Sequence, residues 1–163
     1  MYKSVQARDP RKTCGNAMGA FRSSQWAPVS DDLEIHIIKQ LVSRQQIEIA
    51  AVSIPLDLNP SEVRSQYRSR RGTESDDHRF LKACSGLWLR SIGAKDVRYE
   101  PSCAPVLCDV ASPDLSMAVE CGNTQPRRML MVLAADWRFL MVPYWDSRET
   151  SVEAYLYVRR NTQ

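Results

Sequence analysis

No apolar run in the 163 residues approaches the ~20 that a membrane-spanning helix requires, so no membrane association is expected. The opening segment, MYKSVQARDPRK, has charges but no apolar signal-peptide core, which points to a cytoplasmic protein. No C-x-x-C pair occurs among the five cysteines, Cys14, Cys84, Cys103, Cys108 and Cys121, and their odd number argues against a disulfide framework. A zinc site drawn from Cys103, Cys108, Cys121 and His78 has no ligand-spacing motif behind it. Internal repeats and low-complexity tracts are also lacking. The length suits one ordinary core with a small amino-terminal appendage.

What is present is the composition of a soluble globular domain, 44% hydrophobic and 25% charged. The formal charge of +3 is modest but unevenly placed. Arg64, Arg68, Arg70 and Arg71 lie close together, Arg127 and Arg128 are adjacent, and Arg159 and Arg160 sit near the end. The first two clusters are candidate contacts for nucleic-acid phosphates. The competing reading is a solvated face, since Glu74, Asp76 and Asp77 follow the first cluster at once.

Periodicity organises the rest. Ser30 caps a predicted helix over 31–43, with Leu33, Ile37, Ile38 and Leu41 as its apolar face. Residues 46–58 read as a strand interrupted by Pro55. Asn59, Pro60 and Glu62 then start a helix that carries the arginines to about Arg71 and stops at Gly72. A rival reading makes Glu48-Ile49-Ala50 and the helix after Asn59 a helix-turn-helix DNA-binding motif. From Thr73 or Ser75 a helix runs to about Ser91, with Phe80, Leu81, Cys84, Leu87 and Trp88 on its buried stripe. A strand over 95–100, a hairpin over 106–123, a helix over 124–135 and strands over 138–144 and 152–159 follow. This divides the chain at Gly72 into an amino-terminal extension, 1–72, and a core, 73–163.

The hairpin holds the acids of interest. With Pro113 and Asp114 as a central turn, Ser112 pairs with Leu115, and Asp109 lies opposite Ala118. Asp109 and Glu120 then share a face as diagonal neighbours at roughly 7 to 8 Å, a gap that one divalent cation can bridge. Cys108 and Cys121 are placed on the opposite face as small core residues. Tyr144-Trp145 either closes the core or stacks on a base.

The order helix, three strands, helix, strand over residues 73–144 resembles the restriction-endonuclease-like fold of the PD-(D/E)XK nuclease superfamily, an α/β (α+β) class, here with an amino-terminal α/β extension. The resemblance implies Asp109 and Glu120 as acids binding magnesium or manganese, with the Cys121 main-chain carbonyl as a further ligand. Asp77-His78-Arg79-Phe80-Leu81-Lys82 resembles the E-H-x-x-L-K stretch of competence-protein-like nucleases, Asp77 replacing the glutamate. The superfamily's lysine, two residues after the second acid, is here Gly122. Positive charge would have to come from Arg127, Arg128 or Lys82. Many members act as dimers, which admits a homodimer.

Three functions follow as expectations. The first is a metal-dependent nuclease acting on DNA or RNA. The second is a catalytically degenerate nuclease fold that binds nucleic acid or a protein partner, as a defence or anti-defence component would. The third is a helix-turn-helix DNA binder.

Overall fold

The computed structural model describes residues 31–59, 61–63, 74–101, 104–146 and 148–160. In chain order the elements are helix α1 (Asp31–Ser43), strand β1 (Ile47–Pro55), helix α2 (Asp76–Ser91), strands β2 (Arg98–Tyr99), β3 (Val110–Ser112) and β4 (Met117–Cys121), helix α3 (Pro126–Ala134), and strands β5 (Arg138–Val142) and β6 (Ser151–Arg159). The fold is mixed α and β, built on one six-stranded sheet of order β1-β6-β5-β4-β3-β2. Only β4 and β5 run parallel, and α3 is the crossover between them; the other neighbours are antiparallel.

Helices cover both faces. Leu81, Cys84 and Leu89 of α2 join Val110, Met117, Val119, Cys121, Leu140 and Val142 in one core cluster. Met129, Val132 and Leu133 of α3, with Ile38, Leu41 and Val42 of α1, pack with Ala111, Ala118 and Phe139 in the other. The sheet residues divide by parity, as alternate side chains of a strand must. Leu140, Val119 and Val110 are fully buried because β3, β4 and β5 are sheathed on both sides.

Local chemistry sets the element boundaries. Ser75 caps α2 by accepting the His78 N–H at 3.2 Å, with Asp76 and Asp77 in the first turn complementing the helix dipole. The Asn59 carboxamide accepts the Ser61 and Glu62 N–H groups while Glu62 accepts the Asn59 N–H, so the expected capping box is formed. Ser30, Pro60, Gly72, Cys103 and the cluster Arg64, Arg68, Arg70 and Arg71 lie outside the described residues.

Several expectations are corrected. Residues 47–55 are strand, so Glu48-Ile49-Ala50 cannot be the first helix of a helix-turn-helix. A division at Gly72 would sever this strand from its partner, since β1 pairs with β6 from Ile47 opposite Arg159 to Pro55 opposite Ser151. In α1, Leu33 is 48% exposed, while the expected Ile38 and Leu41 join the cluster together with Val42. The hairpin turn spans Pro113–Ser116: Ser116 donates to the Pro113 carbonyl at 3.1 Å and has φ 47°. Proline's fixed negative φ is incompatible with the first central position of the tight hairpin turns, which needs a positive one, so the loop lengthens. Ser112 therefore faces Met117, not Leu115.

The regular alternation also breaks at Asp109. Its N–H donates to the Val119 carbonyl although Val119 is already the partner of Val110, so two residues oppose one in the manner of a β-bulge. In consequence Val110 packs on the α2 side and Cys108 on the α1 and α3 side, although they are two residues apart. Cys108 and Cys121 thus lie on opposite faces rather than one, which also dismisses the zinc grouping.

If β1 is integral to the core, Ile54→Ala, at a fully buried position, costs about 2 to 4 kcal/mol of stability. Denaturant unfolding followed by tryptophan fluorescence and by circular dichroism should give one coincident transition, shifted in the variant.

Candidate functional site

Glu74, His78 and Lys82 are spaced by four residues, so the start of α2 brings them to one face. That face meets the beginning of β3 and the end of β2. The Lys82 side chain is 3% exposed and its ammonium contacts three carboxylates: Glu74, Glu100 at 3.1 Å and Asp109 at 3.2 Å. His78 Nε2 lies 3.1 Å from Asp109 Oδ1 and 3.4 Å from Glu74 Oε1. Asp109 Oδ2 accepts the Cys121 N–H at 2.8 Å, which ties the cluster to the end of β4. Burial disfavours the charged ammonium, but the carboxylates of Glu74, Asp109 and Glu100 overcome this and push the Lys82 pKa well above its ordinary value.

Glu100 reaches Lys82 from a left-handed backbone conformation, φ 47°, with its N–H donating to the Asp109 carbonyl at 2.9 Å. A non-glycine residue there costs about 1 to 2 kcal/mol, which the surrounding contacts must offset. The cluster lines a cavity of about 210 Å³ whose other walls are Leu107, Cys108 and Arg128.

Glu74, His78 and Asp109 each offer one ligand atom, all within 4.8 Å of one another, so this group could hold a metal ion. The carboxylates of Glu74, Glu100 and Asp109 around Lys82 supply the hard oxygen donors that a divalent cation prefers. His78 Nδ1 is buried without a hydrogen-bond partner, so the imidazole is not saturated by the protein.

No family model, curated protein or solved structure matches this chain.

The expected residues are distributed as follows. Asp109 is at the centre. Asp77 is exposed on the first turn of α2, one residue round the helix from His78, and Glu74 is the acid that enters the cluster. Glu120 is not in the metal-competent group and does not share a face with Asp109, because the irregularity at Asp109 turns that side chain towards α2. Glu120 is 3% exposed and accepts two hydrogen bonds from Arg128 Nη1, at 3.0 and 3.2 Å. Cys121 meets the site through its N–H. Arg128 lines the cavity, whereas Arg159 and Arg160 form exposed pairs with Asp136 and Glu48. Glu74 and Glu100 were not anticipated. The four-residue spacing of Glu74, His78 and Lys82 was the available signal for the first; nothing local in the sequence marks the second.

A close side-chain approach accounts for the glycine at position 122. Gly122 has φ +81°, and a Cβ there would meet the Tyr144 ring at 2.5 Å. A lysine there would carry backbone strain and require the Tyr144 ring to move. Tyr144, 50% exposed, also lies beside His78, with ring centroids 6.4 Å apart.

Burial, reinforced by the Asp109 charge and opposed by Arg128 and Lys82, raises the Glu120 pKa from 4.5 to about 7. An acid with a higher pKa folded than unfolded binds its proton more tightly in the native state. Its contribution is therefore most favourable below pH 4.5 and is lost as pH rises to about 7. The expected loss across that window is on the order of 3 kcal/mol. Urea unfolding of wild type and Glu120→Gln at several pH values checks this; the variant should lack this component of the pH dependence.

Proposed function

We propose that the chain is a metal-dependent nuclease with a restriction-endonuclease-like core, in which Lys82 on α2 takes the part of the lysine that the PD-(D/E)XK pattern places on the third strand of the meander. The observation that carries this reading is the Lys82 ammonium at 3.2 Å from Asp109, beside a histidine and two further acids. Its setting supports the same reading. The order α2, meander β2-β3-β4, crossover α3 and parallel β5 follows that superfamily's core, with Asp109 just before the second meander strand and Glu120 on the third.

Glu74, His78 and Asp109 would hold the ion. Two carboxylates and an imidazole suit manganese better than magnesium, which prefers oxygen donors alone. When bound there, a divalent ion would supply Lewis acidity for a phosphoryl oxygen and for an attacking water. Lys82, held protonated by its carboxylates, orients that water and offsets charge developing on the phosphate, but in this state it cannot accept a proton. Arg128 on the cavity wall supplies a second fixed positive charge, tethered by Glu120.

One observation favours a second reading, a catalytically degenerate fold that binds nucleic acid or protein. The Lys82 ammonium already contacts the Glu74 and Asp109 oxygens that an ion would need, and Glu120 is engaged by Arg128. Metal-dependent cleavage separates the two.

Labelled DNA and RNA, single-stranded and duplex, should be cut by the purified protein with manganese and spared with chelator. Asp109→Ala should abolish cutting, and Lys82→Ala should lower kcat by about 10²-fold or more while circular dichroism shows a folded chain. Gly122→Lys should not rescue Lys82→Ala, because that side chain would start from strained left-handed backbone beneath the Tyr144 ring. If the folded wild type cuts no substrate with any divalent metal, the degenerate reading replaces the nuclease.

A further inference from the structure

Tyr144 and Trp145 lie just beyond β5, after Pro143, and the structure gives them different work. Trp145 packs on Phe80 of α2, with ring centroids 5.3 Å apart, and belongs to the core. Tyr144 is half exposed, its ring tip lies over Gly122, and its ring centroid is 6.4 Å from that of His78, which lines the acid-lined cavity. Gly122 has no Cβ, and its N–H donates to the Val142 carbonyl at 2.7 Å, so the backbone beneath the ring is held in place. Leu107, 47% exposed, supplies an apolar wall to the same cavity.

An aromatic ring left exposed beside a phosphate-competent centre offers a face on which a base can stack. Bases within a duplex are already stacked on one another and cannot reach such a ring without being flipped out, which costs a few kcal/mol. An unpaired nucleotide pays no such cost. From the half-exposed Tyr144 ring, seated on Gly122 beside His78, we infer that the site takes single-stranded nucleic acid and that Tyr144 is the positioning residue on which a base next to the bound phosphate stacks. This rests on the nuclease reading for the identity of the phosphate site, but the stacking itself needs no cleavage.

The test uses the full chain and single-stranded DNA and RNA oligonucleotides carrying one 2-aminopurine, whose fluorescence reports stacking directly. Titrations are run with wild type, Tyr144→Phe and Tyr144→Leu, each with manganese and with chelator, beside a duplex of the same sequence. Wild type and Tyr144→Phe should bind the single strand, change the probe's emission and prefer it to duplex, whereas Tyr144→Leu weakens binding by about tenfold or more and loses the emission change. Where cleavage occurs, Tyr144→Leu should raise KM more than it lowers kcat. Equal binding and equal emission change in Tyr144→Leu, or a preference for duplex, would overturn the inference even if the wild type cuts. Tyr144-dependent stacking without any cutting would uphold it while removing the nuclease reading. Absence of any single-strand binding by folded wild type would refute it.

Discussion

A buried ammonium among carboxylates is the constraint on which the rest of the site depends. Lys82 lies on the packed side of α2, where an unpaired charge would cost several kcal/mol. Its partners come from three places: Glu74 ahead of the α2 cap, Glu100 at the end of β2, and Asp109 at the entry to β3. The ammonium thus ties the start of the helix to the meander. It also permits a density of negative charge that burial would otherwise forbid, and the donor atoms of Glu74, His78 and Asp109 are what suit the cavity to a cation. The left-handed backbone at Glu100 and the irregular pairing at Asp109 are local costs that deliver these carboxylates.

The same geometry accounts for which residues stand near Asp109. A lysine at position 122 would meet left-handed backbone and the ring of Tyr144. A helix lysine reaches the same acid from the other direction. Glu120, displaced from Asp109 by the break in alternation, is held by Arg128, and its raised pKa records both its burial and the nearby Asp109 charge. A catalytic site and a merely binding one would share these features. They differ in whether the oxygens around Lys82 also accept a metal.

Much of the fold was legible from periodicity and punctuation. The stripe of α2, the Pro126 start of α3 and the apolar run of β5 mark elements whose local signals agree with their tertiary setting. The hairpin register was not legible, because it depends on what proline forbids at the turn and on a single extra residue at Asp109. Asp109, Lys82 and Arg128 could be named beforehand as bearers of chemistry. Glu100 could not, since its role arises only when β2 is laid beside β3. Asp77 and Glu74 show how a motif match misleads: the residue that fits the pattern points to solvent, and the acid four residues before His78 is the one the helix turns inward.

The central claim is that Glu74, His78 and Asp109 form a cation site around the Lys82 cluster, and calorimetric titration of manganese into the metal-free protein addresses it without requiring turnover. Binding of one ion per chain in the wild type, lost in Asp109→Asn and in His78→Ala while both variants stay folded, is the predicted result. Failure of the folded wild type to bind manganese, or binding unchanged in both variants, would contradict it.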